Sequence, residues 1–170
     1  MEQIFTSHLQ TPIGLLEIKA NAESVLSVLF IDETNNVERV SNPFDVEKAE
    51  NKISLKAKQQ LEDYFSKKNN SFDLPLHISA TEFQQKVWKQ LETIPFGKTI
   101  SYIQLAMDLG DEKCIRAAAS ANGKNPFAIV IPCHRVIGKD GSLTGYAGGL
   151  WRKKWLLEHE GNIQKQASLF

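Results

Sequence analysis

Cys133, His134 and Arg135 follow one another at the end of an apolar run, Ala128-Ile129-Val130-Ile131-Pro132, and Val136-Ile137 closes the segment. A free cysteine has a pKa of about 8.5, so only a few per cent is thiolate at neutral pH. An imidazole beside the sulfur, itself oriented by a carboxylate, removes that proton during attack. His134 is the adjacent residue, and Glu158 and Glu160 lie on or just after the last helix as candidate orienting groups. The run has the length and β-branched content of a short buried strand. Neighbouring side chains of a strand point to opposite faces, so Cys133 and His134 need a turn or a bridging water to cooperate. A buried structural thiol beside a hydrogen-bonded histidine accounts for the same residues, and composition alone favours it. Under either reading a buried imidazole and guanidinium require partners.

The elements that must hold this segment fall into two halves. Residues 1–32 read as an antiparallel β-meander, with turn chemistry at Thr11-Pro12-Ile13-Gly14. Residues 33–44 read as a loop, and 45–67 as a helix with Ala49, Ile53, Ala57, Leu61 and Tyr64 or Phe65 on one face. Phe72 to Ile78 is expected to be an edge strand because it contains Pro75. The pattern changes near residue 79, giving expected domains at 1–79 and 80–170. In the second, Thr81 caps a helix to Ile94 that buries Phe83, Val87, Leu91 and Ile94. Ser101 caps another, Tyr102 to Leu109, stopped by Gly110. A third runs from Asp111-Glu112 to Asn122-Gly123. Two short helices about a glycine turn have the outline of a helix-turn-helix. A glycine-rich loop, Thr144 to Gly149, leads into a last helix, Leu150 to His159, whose Trp151 and Trp155 are expected in the core.

The chain has 170 residues, 42% apolar and 24% charged, which is ordinary for a soluble globular protein and long enough for a core that needs no metal or disulfide. No apolar run could span a bilayer. The start, Met-Glu-Gln-Ile-Phe, lacks the pattern of a signal peptide, so a cytoplasmic location and no membrane partner are expected. The zero net charge hides an asymmetry: residues 81–170 carry twelve Lys and Arg against eight Asp and Glu. From Lys113 to Lys154 there are eight basic residues (Lys113, Arg116, Lys124, Arg135, Lys139, Arg152, Lys153, Lys154) against one acid, Asp140. Such an excess fits a polyanion, although a solvated basic face would look the same.

Pro132-Cys133-His134-Arg135-Val136 resembles the active-site motif of the O6-alkylguanine-DNA alkyltransferases, and other stretches match that family in order. Ser101-Tyr102-Ile103-Gln104-Leu105-Ala106 is similar to its tyrosine-bearing helix start. Arg116-Ala117-Ala118-Ala119-Ser120-Ala121-Asn122 with Asn125-Pro126 is similar to its recognition helix and hinge. Tyr146-Ala147-Gly148-Gly149-Leu150 and Leu156-Leu157-Glu158-His159-Glu160-Gly161 resemble its active-site loop and closing helix. The resemblance implies an α+β chain: an N-terminal ribonuclease H-like sheet and helix as support, then a mainly helical winged-helix domain. It implies transfer of an alkyl group from O6 of guanine in duplex DNA to Cys133, once and irreversibly, with no cofactor. His134 would be the base through a water, Glu160 its orienting carboxylate, and Asn125 the brace of the bend. Tyr102, Val136, Tyr146, Ala147 and Gly148 would hold the flipped base. Arg116, Ala117, Ser120, Ala121 and Arg135 would meet the DNA, with Arg116 in the vacated stack.

The sequence departs from the family in places. The zinc ligands of animal members are absent, so no metal is expected. Ala128 stands where some members have proline, which suggests a roomier pocket that admits larger alkyl groups and O4-alkylthymine. Cys114 has no counterpart and reads as a packed thiol. The tail Gln166-Ala167-Ser168-Leu169-Phe170 resembles the peptide by which bacterial replication proteins dock on the sliding clamp; a frayed terminus is the plainer reading. A monomer is expected. Two other classes remain: a non-catalytic winged-helix lesion sensor or regulator, which leaves Cys133 and His134 unexplained, and a cysteine hydrolase, which leaves Arg116 and the basic field unexplained.

Overall fold

The computed structural model describes residues 2–32 and 50–162. The chain divides into two compact units, residues 1–79 and 80–170. The fold is α+β, an antiparallel sheet with a helix followed by a mainly helical unit.

In the first unit, β1 (Phe5–Thr11), β2 (Gly14–Ala20) and β3 (Val25–Ile31) form an antiparallel sheet in sequence order. Thr11 closes the first hairpin: its hydroxyl donates to the Gly14 carbonyl at 2.6 Å and accepts from the Ile13 N–H at 3.1 Å. Helix α1 (Lys52–Phe65) packs on all three strands and buries Ser54, Ala57, Leu61 and Tyr64. Its start differs from the expected residue 45. Asn51 is the cap, its side chain accepting from the Ser54 N–H while the Ser54 hydroxyl accepts from the Asn51 N–H. That reciprocal box satisfies two of the donors a helix start leaves open, and it fixes where the helix begins. The expected loop 33–44 and residues 45–49 lie outside the described residues. The expected strand at 72–78 shrinks to one bridge, Leu76 to Val25. The Pro75 carbonyl accepts from Val25 and the His77 N–H donates to Val25, but proline has no N–H to extend the ladder.

The second unit opens with α2 (Glu82–Leu91), capped by Thr81 in a box with Gln84. It stops short of Ile94, which is buried just beyond it. Trp88 takes the buried position expected of Phe83, and its indole N–H donates to the Ala121 carbonyl at 2.8 Å. Helix α3 (Tyr102–Asp108) is capped by Ser101, and Gly110, at φ +100°, turns the chain in a region that L side chains rarely adopt. A 3-10 turn, Glu112–Cys114, then leads into α4 (Ile115–Gly123). Both α2 and α3 pack on α4. A short parallel pair, β4 (Ile100–Ser101) with β5 (Val136–Ile137), ties the entry of α3 to the residues just after the cysteine. Helix α5 (Leu150–His159) buries Arg152, Lys153, Leu156 and Leu157. Among the described residues no helix is long and apolar enough to cross a membrane.

Candidate active site

The expected strand before the cysteine is a buried turn instead. Residues 128–131 have no strand geometry, and Ile129 sits at φ +71°. A β-branched residue in that region carries strain of roughly 1–3 kcal/mol, so its surroundings must hold it. Asn125 does much of this. Its amide donates to the carbonyls of Phe127 (3.2 Å) and Ile131 (2.7 Å), and its Oδ1 accepts from the Phe127 N–H (2.9 Å). Cys133–Arg135 then form a 3-10 turn. Asn122, at the end of α4, donates to the Cys133 carbonyl at 3.3 Å, so the helix is tied directly to the cysteine.

The turn replaces the alternating faces of a strand at Cys133 and His134. His134 and Glu160 have no solvent-exposed side-chain surface, and His134 Nε2 lies 2.7 Å from Glu160 Oε2. Between Glu158 and Glu160, it is therefore Glu160 that pairs. Arg135 grips the same carboxylate with two donors, Nε to Oε1 at 2.7 Å and Nη2 to Oε2 at 3.1 Å, and gives Nη1 to the Ile94 carbonyl at 2.7 Å. Burial pushes the Glu160 carboxyl up, but His134 and Arg135 together pull it down to about 2. It is ionised and can only accept, so His134 Nε2 carries the hydrogen. Burial lowers the His134 pKa against the pull of Glu160, which keeps the ring neutral. Nδ1 is then an unprotonated acceptor, and it has no protein partner. The Cys133 thiol is buried and pushed up by that burial, opposed by the Asn125 amide and the Lys153 charge. The resting group is a thiol.

A second cluster borders the first. Tyr102 donates to the Thr144 carbonyl at 2.9 Å. Lys153 donates to that carbonyl at 2.7 Å and to the Tyr102 hydroxyl at 3.3 Å. Burial lowers the Lys153 amine to about 8, and it raises the Tyr102 phenol. The Tyr146 hydroxyl is buried with no protein partner, and burial raises its pKa well above the usual value. Gly148 accepts from Arg152 Nη1 at 2.9 Å, which pins the glycine loop to α5.

Residues 82–162 match the model of the 6-O-methylguanine DNA methyltransferase DNA-binding domain, and residues 4–78 that of its ribonuclease-like domain. A methylated-DNA–protein-cysteine methyltransferase of Methanosarcina barkeri is 43% identical over 91% of this chain and 95% of its own. The chain belongs to the O6-alkylguanine-DNA alkyltransferase family. The constitutive methylated-DNA–protein-cysteine methyltransferase of Bacillus subtilis is also 43% identical, over 82% of this chain and 84% of its own. Among solved structures, Mycobacterium tuberculosis O6-methylguanine methyltransferase superposes with a TM-score of 0.78 at 37% identity, covering 96% of each chain. The Mycobacterium tuberculosis protein in complex with DNA gives 0.77 at 36% identity, covering 95% of each.

With alkyltransferase membership established, the placement of the remaining residues is informative. Arg116, Ala117 and Ser120 are exposed on one side of α4. Ala118 and Ala121 are not: both are buried, Ala121 beneath Trp88. Ala121 was expected at the DNA and cannot offer its side chain there. Arg135, also expected at the DNA, is buried with donors committed to Glu160 and Ile94, and its guanidinium lies 5.8 Å from the Phe96 ring centre. The basic field shrinks accordingly. Arg135, Arg152 and Lys153 are interior, leaving Lys113, Arg116, Lys124, Lys139 and Lys154 exposed. Val136 is buried and its N–H is bonded to the Cys133 carbonyl, so it is not a free donor. Ala147 is exposed in the loop. Trp151 is exposed rather than core, with the Arg152 guanidinium 4.6 Å from its ring centre.

Sequence reasoning missed Asn122 and Lys153. Lys153 is one of three adjacent basic residues and differs from Lys154 only by its angle on α5. The position one turn before the buried Leu156-Leu157 pair was the available signal.

Glu160 should dominate the acid stability of this unit. Its folded pKa lies below the ordinary 4.5, so its contribution is full above about pH 4.5 and is lost as pH falls toward about 2. That contribution is on the order of 3 kcal/mol. Glu160→Gln should be less stable at pH 7, because Arg135 is left buried without its counter-ion. It should also lose the acid-dependent slope, as read by denaturant melts between pH 2 and 7. An unchanged slope would show that another carboxylate carries it.

Proposed function

We propose that this chain repairs DNA by direct reversal, transferring the alkyl group of O6-alkylguanine in a duplex to Cys133 in a single turnover. The observation that carries this reading is the site's proton path. A buried thiol is followed directly in the chain by a neutral imidazole whose Nε2–H is fixed on Glu160 and whose Nδ1 has no protein partner. His134 Nδ1 takes the thiol proton, directly or through a water, as Sγ attacks the alkyl carbon. The carbon–O6 bond breaks, and the electron pair leaves with the guanine. Tyr102 supplies a proton to the departing base, and Lys153, bonded to the Tyr102 hydroxyl, replaces it. A non-catalytic sensor would have no use for this path.

A guanine inside a duplex cannot reach a buried sulfur, so the nucleotide is flipped out at a cost of a few kcal/mol. Exposed Arg116 fills the vacated stack. Ala117 and Ser120 keep that side of α4 small enough to approach the groove. The exposed lysines supply the sequence-independent phosphate attraction that a repair protein needs on any sequence. Tyr146, Ala147 and Gly148 border the base, while residues 1–79 act as support. The chain works as a monomer in the cytoplasm. Ala128 in place of proline leaves room for larger alkyl groups and for O4-alkylthymine, and the tail Gln166–Phe170, outside the described residues, docks on the sliding clamp.

Incubation with a duplex bearing O6-methylguanine should add one methyl to the Cys133 peptide by intact and peptide mass, stoichiometrically and without turnover. Cys133→Ser should show none. Binding without a mass change would mean a sensor, and repeated release would mean a hydrolase. O4-methylthymine in the same duplex should react within about a hundredfold of methylguanine, a gap of under ~3 kcal/mol.

The single-turnover rate should fall as pH rises through about 8, where Lys153 loses its proton. Lys153→Met should be slower at neutral pH by about 100-fold, the low end of a general-acid contribution, and should lack that alkaline limb. A retained limb would assign it to another group. Finally, a peptide ending in Gln166–Phe170 should bind the clamp in a calorimetric titration, and one with Leu169 and Phe170 replaced by alanine should not. Silence from the intact peptide removes the docking assignment.

A further inference from the structure

Among the described residues, Arg135 is a buried cation bound to the His134–Glu160 pair that the proton path does not use. Its fork closes on both Glu160 oxygens, and Oε2 is shared with His134 Nε2. The guanidinium is held further: Nη1 donates to the Ile94 carbonyl, and its carbon lies 5.8 Å from the Phe96 ring centre. A carboxylate buried with a lone histidine would be an uncompensated negative charge, and it would draw a proton onto the imidazole. A carboxylate already matched by a guanidinium has no such need. We infer that Arg135 is a positioning residue for alkyl transfer: by clamping Glu160 it keeps His134 neutral, with its Nε2 hydrogen on the carboxylate and its Nδ1 lone pair open. The inference rests on the reading of His134 as the base.

The groups facing the pair can be named. Among the described residues, Glu160 and Lys153 come from α5 and its end, Arg135 from the 3-10 turn itself, and Tyr146 from the glycine loop; the contact from beyond α2 is the uncharged Ile94 carbonyl. Arg135 and Lys153 both oppose a proton on His134, and Glu160 favours one. Arg135 is in direct contact with the carboxylate. Lysine could supply the charge but not the two-donor fork, so Arg135→Lys should hold the ring neutral only in part.

The test is the pH profile of single-turnover transfer from an O6-methylguanine duplex, with protein at saturating concentration. Removing the guanidinium as Arg135→Gln should move the acid limb up by about one to two pH units, the effect of a charge at this range. The rate should recover toward wild type on the high-pH side of that limb. Arg135→Lys should fall between the two. In the unmodified protein, 15N NMR should show His134 as the Nε2–H tautomer, neutral to below the ordinary histidine range, which needs no folded variant. An unmoved acid limb in Arg135→Gln, a uniform loss at every pH, or a His134 that titrates at or above its ordinary value overturns the inference. His134→Gln separates the two claims. If it transfers at the wild-type rate, the base assignment fails; if it is slow and the Arg135→Gln limb is unmoved, only the role of Arg135 fails.

Discussion

The second unit is built around one buried carboxylate. Glu160 caps the last helix, and its two oxygens receive hydrogens from His134 and Arg135, which are adjacent on a single 3-10 turn. One carboxylate thereby fixes the end of α5 to the turn that carries Cys133. A buried ion pair of this kind is weak evidence of stability, since desolvation offsets most of the attraction. Its value here is geometric and electrostatic. It leaves the neighbouring imidazole one possible tautomer, and hence one nitrogen on which a proton can be received.

The thiol itself is held by backbone more than by side-chain packing. Asn125 joins three backbone groups across the turn from Phe127 to Ile131, and Asn122 anchors the Cys133 carbonyl to α4. A left-handed Ile129 is tolerated inside that net. Both asparagines lie at or just beyond the end of the helix whose other side exposes Arg116. The end of α4 is therefore tied to the cysteine turn by two side-chain amides. The parallel pair of β4 and β5 adds a third tie, from the far side of the cysteine to the helix that begins with Tyr102.

Much of the fold was legible because its signals are local. Thr81 and Ser101 each accept from a backbone N–H three residues on, and the helices begin where those caps sit. The glycine at 110 and the β-meander hairpin are likewise determined by a few adjacent residues. The errors arose where burial is decided at long range. Apolar content suggested a strand at 128–131, but the Ala128 carbonyl accepts from Val130 within the turn and the Ile131 carbonyl accepts from Asn125, and periodicity cannot see those partners. Arg135 read as a DNA contact because cations are usually exposed; its counter-ion lies twenty-five residues away in sequence. Trp151 read as core because it is large, yet the buried face of α5 is set by Leu156 and Leu157, and Trp151 lies off it. Position in the chain left Glu158 and Glu160 equally near the histidine; the family resemblance singled out Glu160, which at the helix end pairs with it.

The polar groups enclosed in this unit have a common logic. Lys153, His134, Arg135, Glu160 and Asn125 are all buried, and the Tyr146 hydroxyl is buried too. Each costs desolvation that an apolar side chain would not. A core selected for stability alone would not accumulate them within one layer. Their protonation preferences instead diverge in a useful way: Glu160 is driven to ionise, His134 to stay neutral, and Lys153 to sit near its titration point. Environments that push titratable groups apart are what assign acid and base roles. On one side of the sulfur the site can accept a proton at His134, and around Tyr102 it can donate one through Lys153. Removing a proton from the nucleophile while returning one to the leaving base is the bookkeeping that a thiol-to-thioether transfer requires. Among the described residues, Cys133 is the one thiol in this cluster; the other free cysteine, Cys114, lies in the 3-10 turn before α4 against the Ala106 carbonyl. The same enclosure that prepares Cys133 for one attack therefore leaves it without a second.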